Sequence, residues 1–231
     1  LGVSELSNWT RLMWKSGKTF PRKHRSDVWV DKHSIGGVGD KPSLILVPLV
    51  HCVCEKLFGA GFVKIPMVSG RGLGHSGGTV DKLESVPGFS PILSIDRGLK
   101  LLRENGFIMA CQTEEIAPAD RLLYAIRDVT ATVDCPALIV SSIMSKKLAE
   151  NLDALVIDVK TGNGAFLPEL AQARELGKKL VEVARAEQVD AVAIVTRMDE
   201  PLGYNVGNHL EVEESADFLR GVRQEAGLAE V

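Results

Sequence analysis

The chain has no run of basic residues, no apolar stretch long enough to cross a bilayer, and no cysteine pair at the usual metal-ligand spacing. Its 231 residues carry 27 Lys and Arg against 30 Asp and Glu, a net charge of −3. That balance excludes a surface built to track a polyanion such as nucleic acid. The longest apolar stretch, 44–50, is interrupted by Pro48 and is far too short for a membrane span. Near the start of the chain Glu5, Trp9 and Arg11 stand where a secretion signal needs continuous apolar residues. A cytoplasmic location is therefore the expectation. The four cysteines are Cys52, Cys54, Cys111 and Cys135; Cys-x-Cys is too tight for a zinc knuckle, and no His pair accompanies it. Reduced, mostly buried thiols and no structural metal are expected. There is also no Gly-x4-Gly-Lys-Ser/Thr string, so this is not a Walker A protein.

What is present suits an ordinary globular core: 45% hydrophobic and 25% charged residues, enough for one large or two small domains. Hydrophobic periodicity predicts helices over 4–16, 43–57 (despite Pro48), 96–105, 118–127, 137–151 and 168–187. Short strands are predicted at 29–30, 64–68, 154–159 and 191–196. Strand and helix in alternation indicate an α/β fold with a mostly parallel sheet. The helical stretch 118–151 is expected to pack away from that sheet.

Three constellations carry chemistry. In the first, a strand is expected to deliver Lys32, His33 and Ser34 into a turn containing Gly36, Gly37 and Gly39, ahead of a helix. Glycines let backbone N–H groups approach an anion, the helix N-terminus adds partial positive charge, and Ser43 offers another donor. The bland alternative is a solvated tight turn. The second is the segment 69–79, too rich in glycine for a helix or packed strand, with Ser69 and Thr79 at its ends. Within it, Gly72-Leu73-Gly74-His75-Ser76-Gly77 matches Gly-x-Gly-x-x-Gly. No apolar helix is expected after it, however, and Asp96 precedes a helix instead of ending a strand, so a dinucleotide site is the weaker reading. The third is Ser142 and Lys146, i and i+4 on one helix, with Arg127 ending the helix before. Spacing alone does not separate this group from a solvated helix face.

The string Ser69-Gly70-Arg71-Gly72-Leu73-Gly74-His75-Ser76-Gly77-Gly78-Thr79-Val80-Asp81-Lys82-Leu83-Glu84 closely resembles the signature of the thymidine and pyrimidine-nucleoside phosphorylases. Segments 30–40, 124–133, 153–160 and 201–208 resemble further blocks of the same family, in the same order. The resemblance implies a two-part fold, with 1–20 and 118–150 in a smaller all-helical, pyrimidine-side domain. Residues 28–117 and 151–231 then form an α/β phosphate-binding domain, incomplete at both ends relative to the family. It implies phosphorolysis of thymidine to thymine and 2-deoxy-α-D-ribose 1-phosphate, with inorganic phosphate as co-substrate, no cofactor, and a homodimer in the full-length proteins.

Carried over by position, Lys32, Ser34, Ser43, Ser69 and Thr79 are the implied phosphate ligands. Arg127, Ser142 and Lys146 are the implied pyrimidine ligands, and His33 the implied proton donor beside the base. Met67, two residues before Ser69, is the implied marker of preference for deoxynucleosides; its plain alternative is a core-filling residue. Bacterial relatives hold potassium at positions matching Gly39, Leu202, Asn205 and Glu214. Here Lys41 stands where a Thr would help, and its ammonium is expected to take the cation's place. The chain around 54–63 looks longer than the family's connection. Two competing readings remain: a related phosphoribosyltransferase, which would need an acidic magnesium site, and a catalytically silent homologue acting as a binding protein.

Overall fold

The computed structural model describes residues 1–22, 26–35, 37, 40–72, 77–132 and 135–231. The strands are β1 (Val28–Ile35), β2 (Val63–Ser69), β3 (Phe107–Cys111), β4 (Ala154–Thr161) and β5 (Asp190–Arg197). They lie parallel in one sheet in the order β3-β2-β1-β4-β5. The helices are α1 (Val3–Lys15), α2 (Pro42–Phe58), α3 (Thr79–Glu84), α4 (Ile95–Asn105), α5 (Pro118–Val129), α6 (Pro136–Ala149), α7 (Leu170–Ala186), α8 (Asn208–Leu219) and α9 (Ala226–Glu230). From β1 the chain winds outward to β2 and β3, then returns through α5 and α6 to β4 on the other side of β1. The strand order therefore reverses between β1 and β4, and the crevice beyond their C-terminal ends is where open α/β sheets bind ligands.

Local chemistry accounts for the element ends. Pro42, Pro118 and Pro136 each open a helix, where a missing N–H costs nothing. Ser94 caps α4 by accepting the Arg97 N–H at 3.3 Å, and Gly106 ends the helix at φ 80. Alternation along β4 turns Leu155, Ile157 and Val159 into the main core, each at most 1% exposed. Burial of each such side chain contributes about 1.5–3 kcal/mol. That core is continuous from the sheet through α7 to Leu6 of α1 and Ile139, Val140, Ile143 and Met144 of α6. Helices α1, α5 and α6 pack on one another, and α1 and α6 also touch α7.

The join between β1 and β2 is unusual. These strands pair only at Val28↔Val63 and Trp29↔Lys64, whereas β1 pairs with β4 at six positions, Val30↔Ala154 to Ile35↔Val159. Past Trp29 the backbone of β2 finds its partners in side chains of α6. The Val68 N–H donates to Glu150 at 2.9 Å, and the Lys147 ammonium donates to the Val68 carbonyl at 3.1 Å. Lys147 also holds Asp31 at 2.5 Å and Glu150 at 2.8 Å. A buried charge triad thus fills the gap a sheet ladder would have closed, and satisfies the backbone groups left over.

Several expectations need correction. Strand β1 continues through Ile35, so Lys32, His33 and Ser34 lie in the strand and not in a turn. Pairing with β4 extends it beyond what its mixed polar sequence indicates. A short helix, α3, begins at Thr79 with Gly78 before its first turn, but its sequence Thr-Val-Asp-Lys-Leu-Glu is half charged, so it is not the apolar helix of a dinucleotide site. Strand β3 and helix α8 have no counterpart in the sequence reading; β3 is five residues long and is defined by pairing with β2. The cysteines are free, but Cys52 and Cys135 are exposed and Cys54 and Cys111 half-buried, so the thiols are not mostly buried.

Candidate functional site

Because β1 is a strand through Ile35, successive side chains point to opposite faces of the sheet. Lys32 and Ser34 fall on the face carrying α2, while Asp31, His33 and Ile35 fall on the face carrying α6 and α7. The contacts follow that division. Lys32 Nζ donates to Ser43 Oγ of α2 at 3.4 Å, and Ser34 Oγ donates to Asp158 Oδ2 at 3.2 Å. Asp31 bonds Lys147 of α6. One tripeptide therefore sends side chains to two clusters on opposite faces of the sheet.

On the α2 face, the structure brings Lys32, Ser34 and Ser43 together around Asp158, whose Oδ2 lies 3.9 Å from Lys32 Nζ. Asp158 Oδ1 accepts the Thr196 hydroxyl of β5 at 2.6 Å. Burial pushes the Lys32 ammonium below its ordinary range, partly offset by Asp40 and Asp158. Burial pushes Asp40 upward, yet Lys32, Lys160, Ser34 and Lys82 outweigh it and hold the carboxyl low. Ser69 ends β2 and Thr79 opens α3. Among the described residues, neither side chain bonds to Lys32, Ser34 or Ser43. Residues 73–76 lie outside the described residues, as do Gly36 and Gly39.

The glycine-rich segment is tied by a residue the sequence reading passed over. Asp81 Oδ2 accepts the N–H groups of Gly72 at 2.7 Å and Gly78 at 2.9 Å, drawing the two ends of the loop together. Position 78 must be glycine, since a Cβ there would stand 2.5 Å from Gly72 N and 2.7 Å from Arg71 C. Arg71 spans Asp81 at 3.0 Å and Glu84 at 2.6 Å outside this turn. An aspartate three residues after a turn glycine, in a capping-box position, is the signal that could have found it.

On the opposite side, α5 and α6 bring Arg127, Ser142 and Lys146 together, with Arg127 5%, Ser142 5% and Lys146 8% exposed. Burial here removes the solvated-face alternative. Lys146 Nζ donates to Ser142 Oγ at 3.0 Å, to the Ser142 carbonyl at 2.5 Å and to Asp120 Oδ2 at 2.6 Å. Asp120, one helical turn inside α5 and buried, is the partner a charge on that face required. Burial pulls the Lys146 ammonium below its ordinary range; Asp120 opposes this, and Lys147 and Arg127 add to it. Arg127 donates to the Leu138 carbonyl at 3.2 Å and lies over the Tyr124 ring at 5.5 Å. His33 keeps some surface open to solvent, yet the protein packed around its ring lowers its basicity first, and Lys147, Lys146 and Lys32 lower it further. It is neutral at neutral pH.

Met67 is 1% exposed and packs with Val47, Val63 and Ile65. The Lys41 ammonium is fully buried and donates to the Asn205 carbonyl at 2.5 Å and to Glu214 at 2.6 Å. Glu214 further accepts the N–H groups of Tyr204 at 2.7 Å and Asn205 at 3.0 Å. Leu202 packs beside this pair with Ile45, Met198 and Leu228.

A parallel five-stranded sheet flanked by helices, with Lys32, Ser34 and Ser43 gathered beside its switch point, defines an α/β class of protein. The sequence profile described as "Glycosyl transferase family, a/b domain" matches residues 26–230, and the chain belongs to this family. Among individual proteins, it is 50% identical over 224 residues to the thymidine phosphorylase of Homo sapiens, covering 96% of this chain and 44% of that protein. It is 48% identical over 224 residues to the thymidine phosphorylase of Rattus norvegicus, covering 96% of this chain and 45% of that one. With the pyrimidine-nucleoside phosphorylase of Geobacillus stearothermophilus, it shares 46% identity over 221 residues, 96% of this chain and 49% of that protein. The chain thus spans about half the length of the curated relatives it matches.

Proposed function

We propose that this chain carries the phosphate and pyrimidine sites of a thymidine phosphorylase, transferring 2-deoxyribosyl from thymidine to inorganic phosphate. The observation that carries the reading is the alternation along β1, which sends Lys32 and Ser34 to one cationic cluster and His33 toward another. Phosphate held by Lys32, Ser34 and Ser43, with Ser69 and Thr79 from the neighbouring segment, attacks C1′ as the base departs through an oxocarbenium-like transition state. Negative charge then grows on the base oxygens, and Arg127 and Lys146 stabilise it most where it is largest. Asp120 and Ser142 hold Lys146 in place for that task. His33, neutral before substrates arrive, donates an imidazole N–H hydrogen bond to a base carbonyl; the anionic phosphate favours uptake of a proton by the ring from solvent, and the imidazolium then gives that proton to the departing base anion and returns to neutral imidazole.

The α1, α5 and α6 group is read as the pyrimidine-side domain and the rest as the phosphate-side domain, with closure bringing the two substrates together. Lys41 supplies the positive charge at Glu214 and Asn205, in the place that potassium takes in bacterial relatives. Met67 shapes a preference for deoxynucleosides from within the core. A cytoplasmic homodimer is the assembly this reading favours. The test is thymine release from thymidine with and without phosphate, using the chain and its Lys146→Ala and Arg127→Ala variants. Phosphate-dependent release lost in both variants supports the assignment. Near-wild-type phosphorolysis in either folded variant overturns it, and phosphate binding without release identifies a silent binding protein.

A further inference from the structure

The buried lysines divide into two groups. Lys147 and Lys146 each have three acceptors at 2.5–3.1 Å. Lys82 has the Asp40 and Gly77 carbonyls at 3.0 Å and Glu211 at 3.1 Å. Lys41 has its two short bonds to Asn205 and Glu214. These four ammoniums hold the structure together and are satisfied by it. Lys32 and Lys160 are not. Lys32 has Ser43 at 3.4 Å and Asp158 at 3.9 Å. Lys160 is 1% exposed, lies 2.8 Å from Asp158 Oδ2, and among the described residues its nitrogen has no partner in hydrogen-bonding geometry. A buried ammonium with three protons to place and a single carboxylate beside it is costly unless an anion completes the shell.

The sheet places these two lysines together. Register pairs Lys32 with Val156 and Ser34 with Asp158, so Asp158 and Lys160 continue along β4 the face that Lys32 and Ser34 present on β1. Asp158 Oδ2 is approached by Ser34, Lys160 and Lys32 at once. One hydroxyl donor and two ammoniums thus gather around one carboxylate oxygen, groups of the kind that hold an oxyanion. Asp40 also lies within reach of these charges, and Lys32 and Lys160 help to hold its carboxyl low.

We infer that Lys160 is a second cationic ligand for phosphate, acting with Lys32 across the β1–β4 switch point, and that Asp158 is their shared counterion. This rests on reading Lys32, Ser34 and Ser43 as the phosphate site. The experiment is calorimetric titration of inorganic phosphate into the full chain and its Lys160→Met, Lys32→Met and Asp158→Asn variants, with melting curves in phosphate-free buffer. Losing one charge-assisted hydrogen bond weakens phosphate binding by roughly 10- to 100-fold in Lys160→Met, with no fall in its phosphate-free Tm. Asp158→Asn frees both ammoniums and tightens binding. A structural counterion role would give the reverse: a lower phosphate-free Tm for Lys160→Met and an unchanged Kd, which overturns the inference. Should Lys160→Met not fold, Asp158→Asn decides alone, and unchanged or weaker binding there overturns it. Wild-type binding lost in Lys32→Met but kept in Lys160→Met removes this inference and leaves the phosphate site standing. Absence of wild-type binding removes both.

Discussion

Replacing Lys41 by methionine isolates the energetic role of a buried ion pair near the site. The Lys41 side chain is 0% and that of Glu214 3% exposed, and their 2.6 Å bond ties the start of α2 to α8. A cation at a helix start opposes the helix dipole, so this lysine is there for its partner and not for α2. Removing one partner of a buried pair typically costs about 3–5 kcal/mol. Glu214 keeps the Tyr204 and Asn205 N–H groups, which places the loss near the lower end, about 3 kcal/mol. For a chain of 231 residues, that corresponds to a fall in Tm of roughly 6–12 °C. The pH dependence gives a second check. Burial pushes the Glu214 carboxyl up, but the Lys41 bond and the two backbone N–H groups outweigh it and hold it below its ordinary range. Its stabilisation is therefore present above about pH 4.3 and lost as pH falls through the lower folded value. The deficit of Lys41→Met should be full at pH 7 and shrink in acid. Scanning calorimetry of both proteins between pH 7 and pH 3 measures it; a deficit under about 2 °C at pH 7, or one independent of pH, refutes the reasoning.

Lys41→Thr opens room beside Glu214 and the Asn205 carbonyl, so potassium chloride should raise its Tm more than choline chloride does, while wild type responds equally to both. Burial, with the nearby Asp31 charge, pushes the Glu150 carboxyl well above its ordinary range, against the pull of Lys147. Its folded pKa is raised, which makes its contribution unfavourable as pH rises toward that value. Glu150→Gln should therefore gain in Tm relative to wild type as pH rises above about 4.3, whereas Lys147→Met should lose about 3–5 kcal/mol by urea titration. His33 has its folded pKa lowered, so the unfolded chain takes up the proton first, and stability should fall as pH drops below about 6.5. His33→Gln should flatten that slope in urea titrations between pH 7 and pH 5. Asp120→Asn removes the charge opposite Lys146 and should lower phosphorolysis at least about tenfold through a fall in kcat, measured by thymine release.

Much of the architecture was legible in the sequence because long amphipathic and apolar segments decide their own state. Helices at 43–57, 96–105, 118–127 and 137–151 agree with α2, α4, α5 and α6 to within one or two residues. Strand β3 was not legible, since five residues bounded by Gly106 acquire strand character only from pairing with β2. Helix α8 has polar and apolar residues mixed around its circumference, which leaves no face for periodicity to report.

By itself the sequence determined the fold class, the family blocks and the residue types at each site, because those follow from composition, spacing and short-range geometry. Only the tertiary structure decided how the sites divide. Pairing with β4 keeps β1 extended to Ile35, and a period of two then separates Lys32 and Ser34 from Asp31 and His33. Lys146 and Lys147 are neighbours in sequence, yet α6 turns one toward Asp120 of α5 and the other toward Asp31 of β1. Which lysine finds its acceptors within the protein depends on strands and helices far apart in the chain. That information is absent from any local pattern.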